Sequence, residues 1–149
     1  MPTQSNEPVV EALAELLASS YTLYLKTHNY HWNVTGPMFT TLHTLFEEQY
    51  TELALAVDEI AERIRTLGAF APASFTAFAE LSVVSEETGH PKAEEMIRVL
   101  VADQQAISDA AQRVIEAAEA ANDSASEDLG TRRMDIHEKN AWMLRSHLE

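Results

Sequence analysis

The stretch THNYHWNVTGPMFTTLHTLFEE, residues 27–48, gathers three of the chain's six histidines around one helix-breaking triplet, Thr35-Gly36-Pro37. Glycine lets the backbone turn, and proline cannot extend the helix before it but can open the next one. Upstream of the triplet, Val10, Leu13, Leu17, Tyr21 and Tyr24 recur at helical spacing and lead into His28 and His31. They predict a first helix from about Pro8 to Val34. Downstream, Leu42, Phe46, Leu53, Val57, Ile60, Ile64 and Leu67 predict a second helix from about Met38 to Leu67, stopped by Gly68.

The same period returns further on. Ile97, Leu100, Gln104, Ile107, Ala111, Val114 and Ala118 mark a third long helix opening near Pro91. Ser124 and Glu127 have the spacing of a capping box for a fourth, reaching about His147, whose candidate core positions mix Ile136 and Met143 with Asn140 and Arg133. The connection over 68–90 is long, and ASFTAFAEL within it reads as a short helix of its own. Two tight turns and one long link select the topology. Each hairpin is antiparallel, while a link of about 20 residues can span the bundle and leave the second and third helices parallel. The expectation is one all-α domain over 1–149, a ferritin-like four-helix bundle with a long crossover carrying a short extra helix, preceded by a short flexible segment over 1–8.

Composition narrows the function. There is no cysteine, which removes disulfides, thiolate zinc sites and cysteine nucleophiles and fits a reducing compartment. No apolar run approaches a membrane span, and MPTQSNEP has neither the basic nor the apolar part of a signal peptide, so a cytoplasmic location is expected. The net charge is −14 with only three lysines, so phosphate-rich partners are disfavoured and cations favoured, although acidity also serves solubility alone.

His31 and His43 stand six residues before and six after Pro37, hence at one level across the hairpin. Two imidazoles at one level are half of a transition-metal site; as readily they are a satisfied structural pair. On the second helix, His43, Glu47, Asp58 and Glu62 share one stripe beside the apolar one. Yet residues 43 and 58 are fifteen apart, roughly 22 Å along a helix, and no single ion reaches both. Either the two pairs are unrelated, with Asp58 and Glu62 forming a solvated face near Arg63 and Arg65, or the site is built from two chains. In the second case the second helix packs against its own copy about a two-fold axis near Tyr50 or Thr51. A di-iron centre inside the bundle wants Glu-x-x-His on two helices; the one match, Glu87 to His90, straddles Gly89 in the crossover.

Taken together, KTHNYHWNVTGPMFTTLHTLFEEQY and DEIAERIRTLG closely resemble the signature of the Dps proteins, the DNA-binding proteins from starved cells or miniferritins. The likeness includes His31, Trp32, Gly36, Phe39, His43, Asp58 and Glu62 and extends to the HEKNAWML ending. It implies a hollow dodecamer built from two-fold dimers. Such a shell oxidises ferrous iron, preferably with hydrogen peroxide, stores ferric oxide and protects against oxidative stress. The implied ligands are His31 and His43 from one subunit with Asp58 and Glu62 from its neighbour, zinc or another divalent ion being able to substitute for iron. Glu47 and His28 correspond to positions that in some relatives hold a second ion or its water. Trp32 either packs over the site or quenches stray oxidising equivalents. The resemblance places iron-entry pores near Asp123, Glu127 and Asp128, although negative charge at a helix N-terminus is an equally good reason for those residues. The chain lacks the basic tails to which DNA binding is attributed in such shells. Little or no DNA affinity is expected; the alternative is a nucleoid-associated shell that binds through bridging cations or Arg132 and Arg133.

Overall fold

The computed structural model describes residues 6–149. Residues 1–5 of the expected flexible segment lie outside the described residues; Glu7 and Pro8 already belong to a helix. That helix, α1, spans Glu7–Asn33 and has its proline in the first turn, where a missing N–H costs nothing. It is followed by α2 (Phe39–Thr66), the short α3 (Phe75–Leu81), α4 (Ala93–Ala120) and α5 (Ser124–Arg145), with a 3₁₀ turn over Ser146–Leu148. No strand occurs among the described residues, and no helix is long and apolar enough to cross a membrane.

The cross-links between helices give the topology. Glu15 pairs with Arg113 and Lys26 with Asp103, so α1 and α4 run in opposite directions. Because α1 is also antiparallel to α2 across the Gly36 turn, α2 and α4 are parallel, as the crossover length predicts. The crossover is tied to α1 throughout. Ser19 Oγ accepts from Val83 N at 2.9 Å, Lys26 Nζ donates to Ser85 O at 2.9 Å, and the Tyr30 hydroxyl donates to Glu87. Gly36 has φ +98°, and a Cβ there would meet nothing within 4 Å, so glycine is needed for its backbone conformation and not for room. Gly130 is the reverse case. A Cβ would come within 2.9 Å of Ile115 Cγ1, so the absent side chain is what lets α5 lie close on α4.

The core takes Leu42, Phe46, Leu53, Ile60 and Ile64 from α2 and Ile97, Leu100, Ile107, Val114 and Ala118 from α4, as their stripes predict. Three expectations need correcting. On α1 the stripe is buried only in part: Leu13 and Leu17 lie inside with Val9, Leu16, Leu23 and Tyr30, whereas Tyr21 is exposed and Val10 and Tyr24 are half-buried. Two apolar stripes run side by side on this helix, and only one faces the bundle. The Ser124–Glu127 capping box does not form; Asp123 is the N-cap, its side chain accepting from Ser126 N at 3.1 Å. On α5 the buried positions are Leu129, Arg133, His137, Ala141 and Leu144, while Ile136, Asn140 and Met143 are half-buried. Arg133 and His137 can be interior because the charged fork of the one and both ring nitrogens of the other are hydrogen-bonded, although the Arg133 Nε has no partner. Arg133 forms a two-pronged ion pair with Glu52 of α2, its Nη2 also donates to His137 Nε2 at 3.0 Å, and His137 Nδ1 donates to Gln104 Oε1 at 2.6 Å.

Candidate metal centre

His31 lies in the last turn of α1 and His43 in the second turn of α2, so the Gly36 turn brings them face to face. Their rings stack with centroids 3.7 Å apart and planes 15° from parallel. His31 Nδ1 bonds the carbonyl oxygen of His43 at 2.6 Å, and His43 Nδ1 bonds that of His31 at 2.7 Å. A carbonyl can only accept, so both Nδ1 atoms carry hydrogen, and in the neutral ring that tautomer puts the lone pair on Nε2. That is the outer hydrogen bond by which metal-binding imidazoles are held in tautomer and orientation. The arrangement also satisfies the His31 carbonyl, one of the acceptors that a helix C-terminus leaves without a partner.

Aromatic rings enclose the pair. Phe39 stacks on His43 at 5.0 Å, and Tyr50 meets His31 edge-on at 5.2 Å. His28 is sandwiched between Trp32, at 3.8 Å, and Tyr50, at 4.1 Å. Burial and then the nearby His31 hold the His28 imidazole below its ordinary pKa, so it is neutral at pH 7. Tyr50, seven residues beyond His43 and so two turns along the same face, is the cluster member that the histidine pattern does not single out.

The other expected ligands are elsewhere. Asp58 and Glu62 are exposed on the outer part of α2, and so is Glu47. Among the described residues none of the three has an ion-pair partner, and no three His, Asp or Glu side chains converge as a metal site. The arginines expected beside the carboxylates are engaged away from them. Arg63 bonds Asp123 at 2.8 Å and Ser126 Oγ at 2.9 Å, while Arg65 donates to Ala69 O and lies over the Phe70 ring. One chain therefore presents a prepared imidazole pair and, two thirds of the way along α2, an unpaired carboxylate pair.

Of the three acidic residues near the start of α5, Asp123 is occupied by capping and by Arg63, and Asp128 is bridged by Arg132 at 2.9 Å. Burial pushes the Asp123 carboxyl up, but the Ser126 hydroxyl and N–H and the Arg63 guanidinium outweigh it and hold it below the usual carboxylate range. Glu127 is half-buried. Arg132 also bonds Glu59 at 2.6 Å, and Arg133 is 2% exposed, so neither is a free basic contact.

Comparison with known proteins agrees with this architecture. Residues 10–149 match the ferritin-like domain family. The chain is 38% identical over 143 residues to DNA protection during starvation protein 2 of Bacillus anthracis, covering 96% of this chain and 98% of that one. It superposes with a TM-score of 0.95 on a Dps protein of Bacillus brevis, at 36% identity and full coverage of both chains. The Dps protein of Vibrio cholerae O1, described as a member of a broad superfamily of ferritin-like diiron-carboxylate proteins, superposes with a TM-score of 0.92 at 32% identity, over 97% of this chain and 91% of that one. With this bundle, this crossover helix and these full-length matches, the chain belongs to the Dps family of the ferritin-like superfamily.

Proposed function

We propose that the protein is a ferroxidase and iron store. Ferrous iron is its substrate, taken at sites shared between two-fold related subunits of a hollow dodecamer in the cytoplasm. The observation that carries the reading is the reciprocal Nδ1–H to carbonyl pairing of His31 and His43. It leaves two Nε2 lone pairs ready while the unpaired Asp58 and Glu62 lie too far along α2 to join them within one chain. A neighbouring copy supplies the missing half. Antiparallel packing of α2 on its own copy near Tyr50 sets position 58 of one subunit level with position 43 of the other.

Two imidazoles and two carboxylates suit ferrous iron, and so few protein ligands leave coordination positions for the oxidant. The chain's own groups bind and orient: the carbonyls fix the imidazoles, and Glu47 and His28 stand where a second ion or its water is held. Two ferrous ions each give one electron to one hydrogen peroxide. Its O–O bond breaks, two protons from solvent are taken up, and two waters leave without free hydroxyl radical. Ferric oxide then accumulates inside, which is the protective outcome under oxidative stress.

Stopped-flow oxidation of ferrous iron by peroxide tests the reading. The His31→Ala/His43→Ala variant should oxidise iron at least about 100-fold more slowly while eluting at the wild-type assembly size. An unchanged rate overturns the site. DNA is a weak partner at most, because the charge is −14, Arg133 is buried and Arg132 is paired. Plasmid retarded at physiological salt without divalent cations would overturn that.

A further inference from the structure

Seven-residue steps along the buried faces of three helices are apolar at their ends and polar in the middle. On α1 and its C-cap the steps run Leu13, Ser20, Thr27 and Val34; on α2, Leu42, Gln49 and Ala56; on α4, Ile97, Gln104 and Ala111. All of these side chains are buried, Gln49 being the most accessible at 4%. The polar members share one level of the bundle. Glu52 pairs with Arg133, and Gln104 with His137, one turn further along α5. Because α2 and α5 run in opposite directions, Gln49, one turn before Glu52, is level with His137 and hence with Gln104. The stacking of His31 on His43 sets Thr27 level with Glu47 and Ser20 level with Ala54, so the two hydroxyls bracket Gln49 and Glu52 within roughly 10 Å of the bundle axis. Among the described residues, six side-chain atoms at this level have no hydrogen-bond partner: Ser20 Oγ, Thr27 Oγ1, both amide atoms of Gln49, Gln104 Nε2 and Arg133 Nε. Left unpaired, they would together rival the whole stability of a domain of this size.

We propose that the middle of the bundle is a hydrated chamber, in which Ser20, Thr27, Gln49, Gln104 and Arg133 Nε hold a cluster of ordered water molecules at a site to which all four long helices contribute. The inventory of donors and acceptors selects the ligand. A metal ion would meet N–H groups from two amides and a guanidinium. An anion would suit those donors but leave Gln49 Oε1 and its lone pairs unmatched, and the Glu52 carboxylate already neutralises Arg133. Water both donates and accepts. At about three bonds for each buried water, six atoms call for at least two molecules. Ala56 and Ala111, the next steps along the α2 and α4 stripes, are small enough to leave that room. So placed, the water ties the α1 hydroxyls into the Glu52–Arg133–His137–Gln104 network of the other three helices. It fixes the register of all four by hydrogen bonds, where apolar packing alone would let them slide, and it does so whatever chemistry the histidine pair performs.

The sign of one substitution tests the chamber. Thr27→Val replaces a hydroxyl by a methyl group of nearly the same volume. In a dry core it would remove an unpaired polar group and raise the urea midpoint; in a hydrated chamber it takes a partner from the water and should lower the midpoint at unchanged slope. A midpoint that rises or stays in place overturns the proposal. Oxygen-17 relaxation dispersion of the solvent counts the water directly. The assembled wild-type protein should show long-lived internal water, and Gln49→Leu should lose at least one molecule per chain from that amplitude. Equal amplitudes in the two proteins refute the site. Should Gln49→Leu fail to assemble, a crystal structure of the wild type at atomic resolution decides in its place. Waters within hydrogen-bond distance of Gln49, Gln104 and Arg133 Nε are expected; direct bonds among those side chains, or a void without water, overturn the chamber.

Discussion

The α1/α2 hairpin and the α2/α5 side of the bundle are held by different chemistry. Across the α1/α2 hairpin the polar contacts are few and confined to its two ends: two imidazoles bond two backbone carbonyls beside the turn, and Asn6 donates to Leu67 O at the other, with an otherwise apolar packing face between. The α5 side is fastened to α2 by charge at three levels, Glu52 to Arg133, Glu59 to Arg132 and Arg63 to Asp123, and the middle of α5 buries Arg133 and His137. An apolar face tolerates small displacements at small cost, whereas a buried ion network has one satisfied arrangement. Stability that depends on specific partners thus sits on the α5 side, and α1/α2 is left free to dedicate its polar groups to the site.

Breaking the contrast begins with its deepest charge. Glu52→Ala leaves the Arg133 guanidinium buried without its carboxylate and should cost about 3 kcal/mol, read as a lower urea midpoint at unchanged slope. A loss no larger than that of an exposed pair such as Glu94–Arg98 would mean that the network contributes only geometry.

Next comes pH. Burial, and then the neighbouring Arg133, hold the His137 imidazole well below its ordinary pKa, so the folded protein keeps it neutral. The unfolded chain takes up that proton once the pH drops below the ordinary value near 6.5, and the folded state does not, so stability falls with acid at up to about 1.4 kcal/mol per pH unit. His137→Gln should flatten the slope of the urea midpoint between about pH 6.5 and 5; an equally steep slope would place the titration elsewhere.

The smallest effect is expected at Asp123. Asp123→Ala removes the α5 cap and should cost about 1 kcal/mol at pH 7. Because the folded carboxyl lies below its unfolded value, its contribution is complete above the ordinary carboxylate range and fades as acid approaches the lower folded value. Wild type and variant should therefore converge as the pH falls below the ordinary carboxylate range, and a gap that does not narrow with acid would assign the loss to packing.

Much of the fold was legible because it rests on local periodicity. The Gly36 turn, the α2 and α4 stripes and the length of the crossover were enough for the topology, and the short helix followed from ASFTAFAEL. The failures share one cause. Amphipathic periodicity marks which residues lie on one side of a helix, but not whether that side meets the bundle or the outside, so the α1 stripe that is buried at Leu13 and Leu17 leaves the core at Tyr21 and Tyr24. Nor does it explain polar residues that become core through distant partners: Arg133, on the expected core face, and His137, which that face left out, are interior because Glu52 and Gln104, 81 and 33 residues away, arrive to bond them. For the site, spacing alone placed His31 level with His43 and excluded Asp58 as a ligand partner within one chain, since rise per residue is a fixed property of the helix.

Sequence by itself thus determined the helices, their order, the level of the two histidines and the distance to the carboxylates, all consequences of backbone geometry read along one dimension. Only the tertiary structure decided which tautomer those histidines adopt, which acid caps α5, and which stripe of α1 faces inward, because each depends on a group brought from another helix. The same holds for the row of rings on the outward face. Its α1 members are visible as spacing, but Tyr50 joins them only because the fold brings α2 alongside and stacks its ring on His28.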